Sequence, residues 1–186
     1  MPEPSSTMIG VFAVVAVLLI GLLVRWWWTP ARRHERALRK ALRVIGHDTL
    51  VDRVIPDGVD GEIQIDLIVL TGAGLLVLEV KRVEGTVFGA ASMDQWTALT
   101  PHRRIAFENP LELMHRRIIA LKARLGDDVP VEGRVVLVGD VTLGADLPDV
   151  VTTPETLAES YAATAGKADT SPYYNHWTQL SQEAAA

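Results

Sequence analysis

Three ionisable side chains, Asp66, Glu79 and Lys81, interrupt two otherwise apolar runs that follow Glu62. The first run reads Glu-Ile-Gln-Ile-Asp-Leu-Ile-Val-Leu, a Thr-Gly-Ala-Gly link follows, and the second reads Leu-Leu-Val-Leu-Glu-Val-Lys. Leucine-rich and β-branched segments on either side of a glycine-containing link predict a β-hairpin. A two-residue turn at Gly72 and Ala73 sets Asp66 opposite Glu79, whereas a turn at Ala73 and Gly74 sets it opposite Lys81. Paired residue numbers sum to an odd value in both registers, so all three side chains share one face of the sheet.

Two carboxylates whose Cβ atoms stand about 5 Å apart repel each other in an apolar setting. A hard divalent cation such as Mg²⁺ relieves that repulsion, because it takes carboxylate oxygens together with water and phosphate oxygens. A lysine on the same face can orient a metal-bound water or neutralise charge on a phosphate. A plain salt bridge on a half-exposed sheet face uses the same three residues with no chemistry at all.

Asp66, the hairpin and Glu79-Val80-Lys81 resemble the Asp…Glu-x-Lys signature of the restriction-endonuclease-like nucleases, and more closely the nuclease-related domain, NERD. The resemblance covers roughly Leu38 to Glu159, through Gln64-Ile65-Asp66, Gly74 to Lys81, Gly85-Thr86-Val87, Trp96 and Phe107-Glu108-Asn109-Pro110-Leu111. Two positions depart from it: Leu67 stands where NERD sequences usually carry His, and Leu113 where they tend to carry Gln. The resemblance implies phosphodiester hydrolysis of nucleic acid with Mg²⁺ (or Mn²⁺). In that scheme Asp66, Glu79 and the Val80 carbonyl are the metal ligands, and Asp66, Glu79 and Lys81 the catalytic set. The alternative is a non-catalytic, membrane-tethered binding or scaffold module that retains the fold.

Basic clusters offer places for a substrate strand. Arg103 and Arg104 follow His102 in a loop, and Arg116 lies in the cluster His115-Arg116-Arg117 on the helix expected after Asn109-Pro110, where a solvated face with a Glu112–Arg116 pair is the plainer reading. No Gly-Lys-Ser/Thr phosphate loop occurs, the five histidines lack metal-ligand spacing, and the absence of cysteine excludes disulfides and thiolate metal sites.

Charge is distributed unevenly. Seven of the 18 basic side chains and two of the 23 acidic ones precede Val44, leaving 11 against 21 and a net charge of −10 for the remainder. Such a domain lacks the electrostatic footprint of a protein that grips long duplex DNA by its backbone. Met8 to Val24 contains no charged residue, and Arg25 and Trp26-Trp27-Trp28 follow it. This pattern predicts a transmembrane helix in the lipid bilayer across residues 8–28, with anionic lipid as the partner of the basic block Arg25–Arg43. The basic flank predicts a single-pass protein with the N-terminus outside and the C-terminal domain cytoplasmic.

The expected organisation is an N-terminal tail and transmembrane helix (1–29), a nuclease-related domain (30–165) and a partly mobile tail (166–186). Helices are expected over Pro30–Ile45, from Asn109-Pro110 to Gly126, and from Thr153-Pro154 to about Thr164. Strands are expected at Thr49–Ile55, along the hairpin, at Gly85–Phe88, at Arg134–Val138 and at Val150–Val151, with a stretch from Gly89 to Phe107 that is irregular apart from a strand near Trp96 to Leu99. The fold class is therefore α/β: a restriction-endonuclease-like core of helix, three-stranded antiparallel meander, helix and strand, behind one N-terminal transmembrane helix.

Overall fold

The computed structural model describes residues 30–58, 60–126, 128–163 and 169–182. The chain divides into two compact units, 1–36 and 37–186. Only the opening turns of helix α1 (Pro30–Ile45) represent the first unit among the described residues, and the following description concerns the second. The membrane-spanning helix expected at residues 8–28 lies outside the described residues. Among those, no helix is long and apolar enough to cross a membrane.

The fold is mixed α/β. Strands β1 (Asp48–Pro56), β2 (Glu62–Thr71) and β3 (Gly74–Arg82) form the antiparallel meander. Helix α2 (Pro110–Leu125) then carries the chain across to β7 (Val131–Val138), which lies parallel to β3. With β9 (Val151–Thr152) beyond β7, the first sheet has the order β1-β2-β3-β7-β9. A right-handed crossover through a helix is the usual way to join two parallel neighbours.

Both faces of this sheet are covered, which explains why β2 and β3 read as continuous apolar runs rather than as an alternation. Ile68, Leu70, Leu75 and Val77 pack with Leu121 and Leu125 of α2. On the other face Val69, Leu76, Leu78 and Val136 meet Leu42 and Ile45 of α1 and Leu157 of α3 (Pro154–Tyr161). Gly46 stops α1, with its N–H 3.2 Å from the Leu42 carbonyl, and a Cβ there would stand 2.1 Å from Val69 Cγ1. Asn109 caps α2 by accepting from the Leu111 N–H at 3.0 Å. Its own N–H donates to the Asp94 carbonyl, so Glu112 does not complete a capping box.

Two regions differ from the sequence expectation. The stretch 89–107 holds more strand than expected: β4 (Gly85–Phe88) and β5 (Gln95–Leu99) stand where strands are expected, and with β6 (Arg104–Glu108) and β8 (Val141–Leu143) they form a second sheet in the order β6-β5-β4-β8. Its strands are only three to five residues long, too short for a period to stand out. The C-terminal stretch also folds onto the domain. After a short 3₁₀ turn at Ser171–Tyr173, α4 (Tyr174–Gln182) buries Trp177 and Leu180 in the cluster under α2. The Trp177 indole N–H donates to Asp48 at 3.0 Å.

Candidate functional site

The β2–β3 pairing resolves the hairpin register. Thr71 pairs with Gly74 and Leu67 with Leu78, so the turn is Gly72–Ala73, and Asp66 and Glu79 are the first residues past the last paired step. The ladder ends at Leu67–Leu78. Beyond it β2 continues beside β1 alone, and β3 continues beside β7 alone. The β1–β2 ladder is also interrupted here, because Asp52, which faces Asp66, has φ +51 and makes no paired step. Leu50 and Ile55, an odd number of residues apart, consequently reach the same core cluster, as do Ile65 and Ile68. Asp66 and Glu79 therefore stand at the mouth of a wedge where the sheet opens.

Helix α2 fills that wedge. Gly133 of β7 lets it approach closely, since a Cβ there would lie 2.6 Å from Ile118 Cδ1 and 2.8 Å from Met114 Sδ. The buried stripe of α2 runs through Leu111, Met114, Arg117, Leu121 and Leu125. Arg117 is 5% exposed, and its guanidinium reaches both carboxylates. Nη1 and Nη2 donate to Asp66 Oδ2 and Oδ1 at 3.1 and 3.0 Å, a two-pronged contact, and Nη1 also donates to Glu79 Oε2. Arg117 Nε is buried without a hydrogen-bond partner.

Asp66 and Glu79 are thus brought together as expected, but the cation between them belongs to the protein. Glu79 is buried, whereas the Asp66 side chain keeps 35% of its surface. Burial lifts the Glu79 carboxyl above the ordinary carboxylate range; Arg117 pulls it down, Asp66 pushes it up and Lys81 lowers it again. Lys81 is half-buried on the same face, with its ammonium over the Phe107 ring at 5.6 Å. Phe107 is held edge-on by Trp96 at a centroid distance of 6.3 Å. Trp96 is itself fully buried, with its indole N–H donating to the Ala90 carbonyl. The side chain of Val80 packs on the opposite face with the α1 and α3 cluster, and its backbone runs within the parallel β3–β7 ladder.

The sign of the Glu79 shift gives a stability prediction. A carboxyl whose folded pKa is raised binds its proton more tightly in the native state, so its ionisation opposes folding at neutral pH. Glu79→Gln, a neutral isostere, should therefore be more stable than wild type at pH 7. That advantage should fade as pH falls through the raised value toward the ordinary 4.5. Urea unfolding at several pH values measures it. A loss of stability in Glu79→Gln at pH 7 would mean that attraction to Arg117 outweighs burial.

The expected substrate residues lie apart from this cluster. Arg103 is exposed, and its backbone closes a turn on Thr100. Arg104 is bonded to Thr97 on the outer face of the second sheet, beside a groove of about 660 Å³ lined by Phe88, Met93, Leu99 and Asp146. Arg116 is exposed on α2. Arg117, expected with its neighbours to contact phosphate or face solvent, is instead buried against the two carboxylates. Its signal was a charged residue within an apolar stripe of helical spacing, which marks a buried partner elsewhere.

Two hard carboxylates that reach one common atom fit a divalent cation in donor type and convergence. Among the described residues, however, no group of three or more His, Cys, Asp or Glu gathers. Comparison with known proteins places the site in context. Residues 30–138 match the family model of the nuclease-related domain, NERD. A 67-residue stretch is 30% identical to an uncharacterized protein of Bacillus anthracis, covering 36% of this chain and 32% of that protein. No solved structure matches the chain.

Proposed function

We infer the function from one premise: the chain belongs to the nuclease-related domain family. From it we propose phosphodiester hydrolysis of nucleic acid at the wedge between β2 and β3, in a domain tethered to a bilayer by residues 8–28. The observation that carries the proposal is the convergence of Asp66 and Glu79 on one point, with Lys81 on the same face. Bound there, Mg²⁺ or Mn²⁺ would supply Lewis acidity toward a phosphate oxygen. Asp66, partly exposed, is the carboxylate through which solvent and substrate meet the site. Glu79, buried below it, is the second carboxylate that would hold the cation. Lys81 holds the attacking water and steadies charge that develops on phosphate.

A second reading has its own observation. Arg117 already bridges both carboxylates, and the domain after Arg43 is acidic, which together favour a binding or scaffold module that has kept the fold. One experiment separates the two. The full chain, reconstituted with lipid vesicles, is floated on a density gradient and assayed on single- and double-stranded DNA and RNA with Mg²⁺ or Mn²⁺. The nuclease reading expects the chain to float and to cleave at least one substrate, with cleavage absent in Asp66→Asn. Equal cleavage by wild type and Asp66→Asn, or none by either, sinks it. A chain that stays at the bottom of the gradient removes the anchor.

A further inference from the structure

Resting on the nuclease reading, we propose that Arg117 is the resident cation of this site and that a divalent metal enters only by exchanging with it. The guanidinium stands where a cation shared by Asp66 and Glu79 must stand, because a single atom, Nη1, contacts both carboxylates. Metal and guanidinium cannot hold that point together. Charge leads to the same conclusion. Two carboxylates with Arg117 and Lys81 are already neutral, so a divalent ion added on top would leave two uncompensated positive charges beside buried Glu79. With Arg117 gone the excess is one, which a single phosphodiester then cancels.

The resident arrangement is also incomplete in a way that favours exchange. Arg117 Nε is buried with no acceptor, so the guanidinium holds its place without satisfying all of its donors. Asp66 retains solvent access, which gives both ions a path. Arg117 stands on the buried stripe of α2, one helical turn beyond half-buried Leu113. The side chain that reaches the carboxylates from α2 is therefore a charged competitor of the metal.

Mn²⁺ binding to the full chain is measured by titration calorimetry for wild type, Arg117→Gln and Arg117→Lys, with folding checked by circular dichroism. Arg117→Gln should bind Mn²⁺ at least about tenfold more tightly than wild type. Arg117→Lys, which keeps a charge but cannot span both carboxylates, should fall between them. In wild type, the guanidinium nitrogen resonances of Arg117 should shift as diamagnetic Mg²⁺ saturates the site. That arm needs no variant, so it decides the matter even where Arg117→Gln fails to fold. Equal affinity in wild type and Arg117→Gln, or an unmoved Arg117 signal at saturation, overturns exchange and leaves the nuclease reading standing. No binding by any of the three at millimolar metal overturns both.

Discussion

Lys81→Ala should slow phosphodiester cleavage by about 10²–10⁴-fold, the range typical for losing a positioned group that handles a proton or the charge in transit. The fold should barely register the change. Lys81 is half-buried, and its described contact is with the Phe107 ring, a pairing worth about 0.5–1 kcal/mol at an accessible site. The urea midpoint of Lys81→Ala should therefore stay close to that of wild type while kcat collapses. The core that holds Phe107 in place, built from Trp96, Val87 and Leu137, does not involve the ammonium. Unchanged cleavage in Lys81→Ala would identify the lysine as a surface charge and move the chemistry elsewhere.

Arg117→Met should cost about 3–5 kcal/mol of folding stability, because removing one partner of a buried ion pair strands the other. Glu79 is buried, and with the guanidinium gone it faces Asp66 with only the weaker influence of Lys81 to offset the repulsion. A domain of ordinary stability, about 5–15 kcal/mol, survives such a loss but unfolds at markedly lower urea. Glu79→Gln placed in the Arg117→Met background should recover most of it, since the stranded charge is then absent. The difference between the double variant and the sum of the singles is the coupling energy. If Arg117→Met unfolds within about 1 kcal/mol of wild type, the bridge carries no more weight than an exposed surface pair.

The hairpin was legible because its information is local. Two apolar runs, a glycine-containing link and an odd pairing sum fix the face on which Asp66, Glu79 and Lys81 lie, whichever turn forms. Helix α2 was legible for the same reason, through Asn109, Pro110 and the glycine at its end. The Arg117 bridge was not, since the helical stripe marks only that Arg117 is buried, and its partner Asp66 lies 51 residues away in a segment that does not name it. Of the second sheet, β4 and β5 were legible, whereas β6 and β8 and the pairing of all four escaped because the strands are short and their partners are set only by the fold. The helix at Tyr174–Gln182 was hidden by a polar composition in which Trp177 and Leu180 are the buried residues.

The resolved register has a consequence for how the chain reaches its fold. Taken alone, the hairpin has reason to prefer the other turn, which sets Asp66 across from Lys81. An opposite-charge cross-strand pair is favourable by about 0.2–1 kcal/mol, whereas two carboxylates face to face are unfavourable. Both turns keep the same side chains on the same face, so apolar burial does not choose between them. The choice falls to α2, which emerges from the ribosome after the hairpin and brings the guanidinium that reconciles Asp66 with Glu79. Local and global preference disagree at this one point of an otherwise consistent sequence. The helix thus acts as an arbiter of strand alignment, and the hairpin's geometry becomes final only when the helix docks.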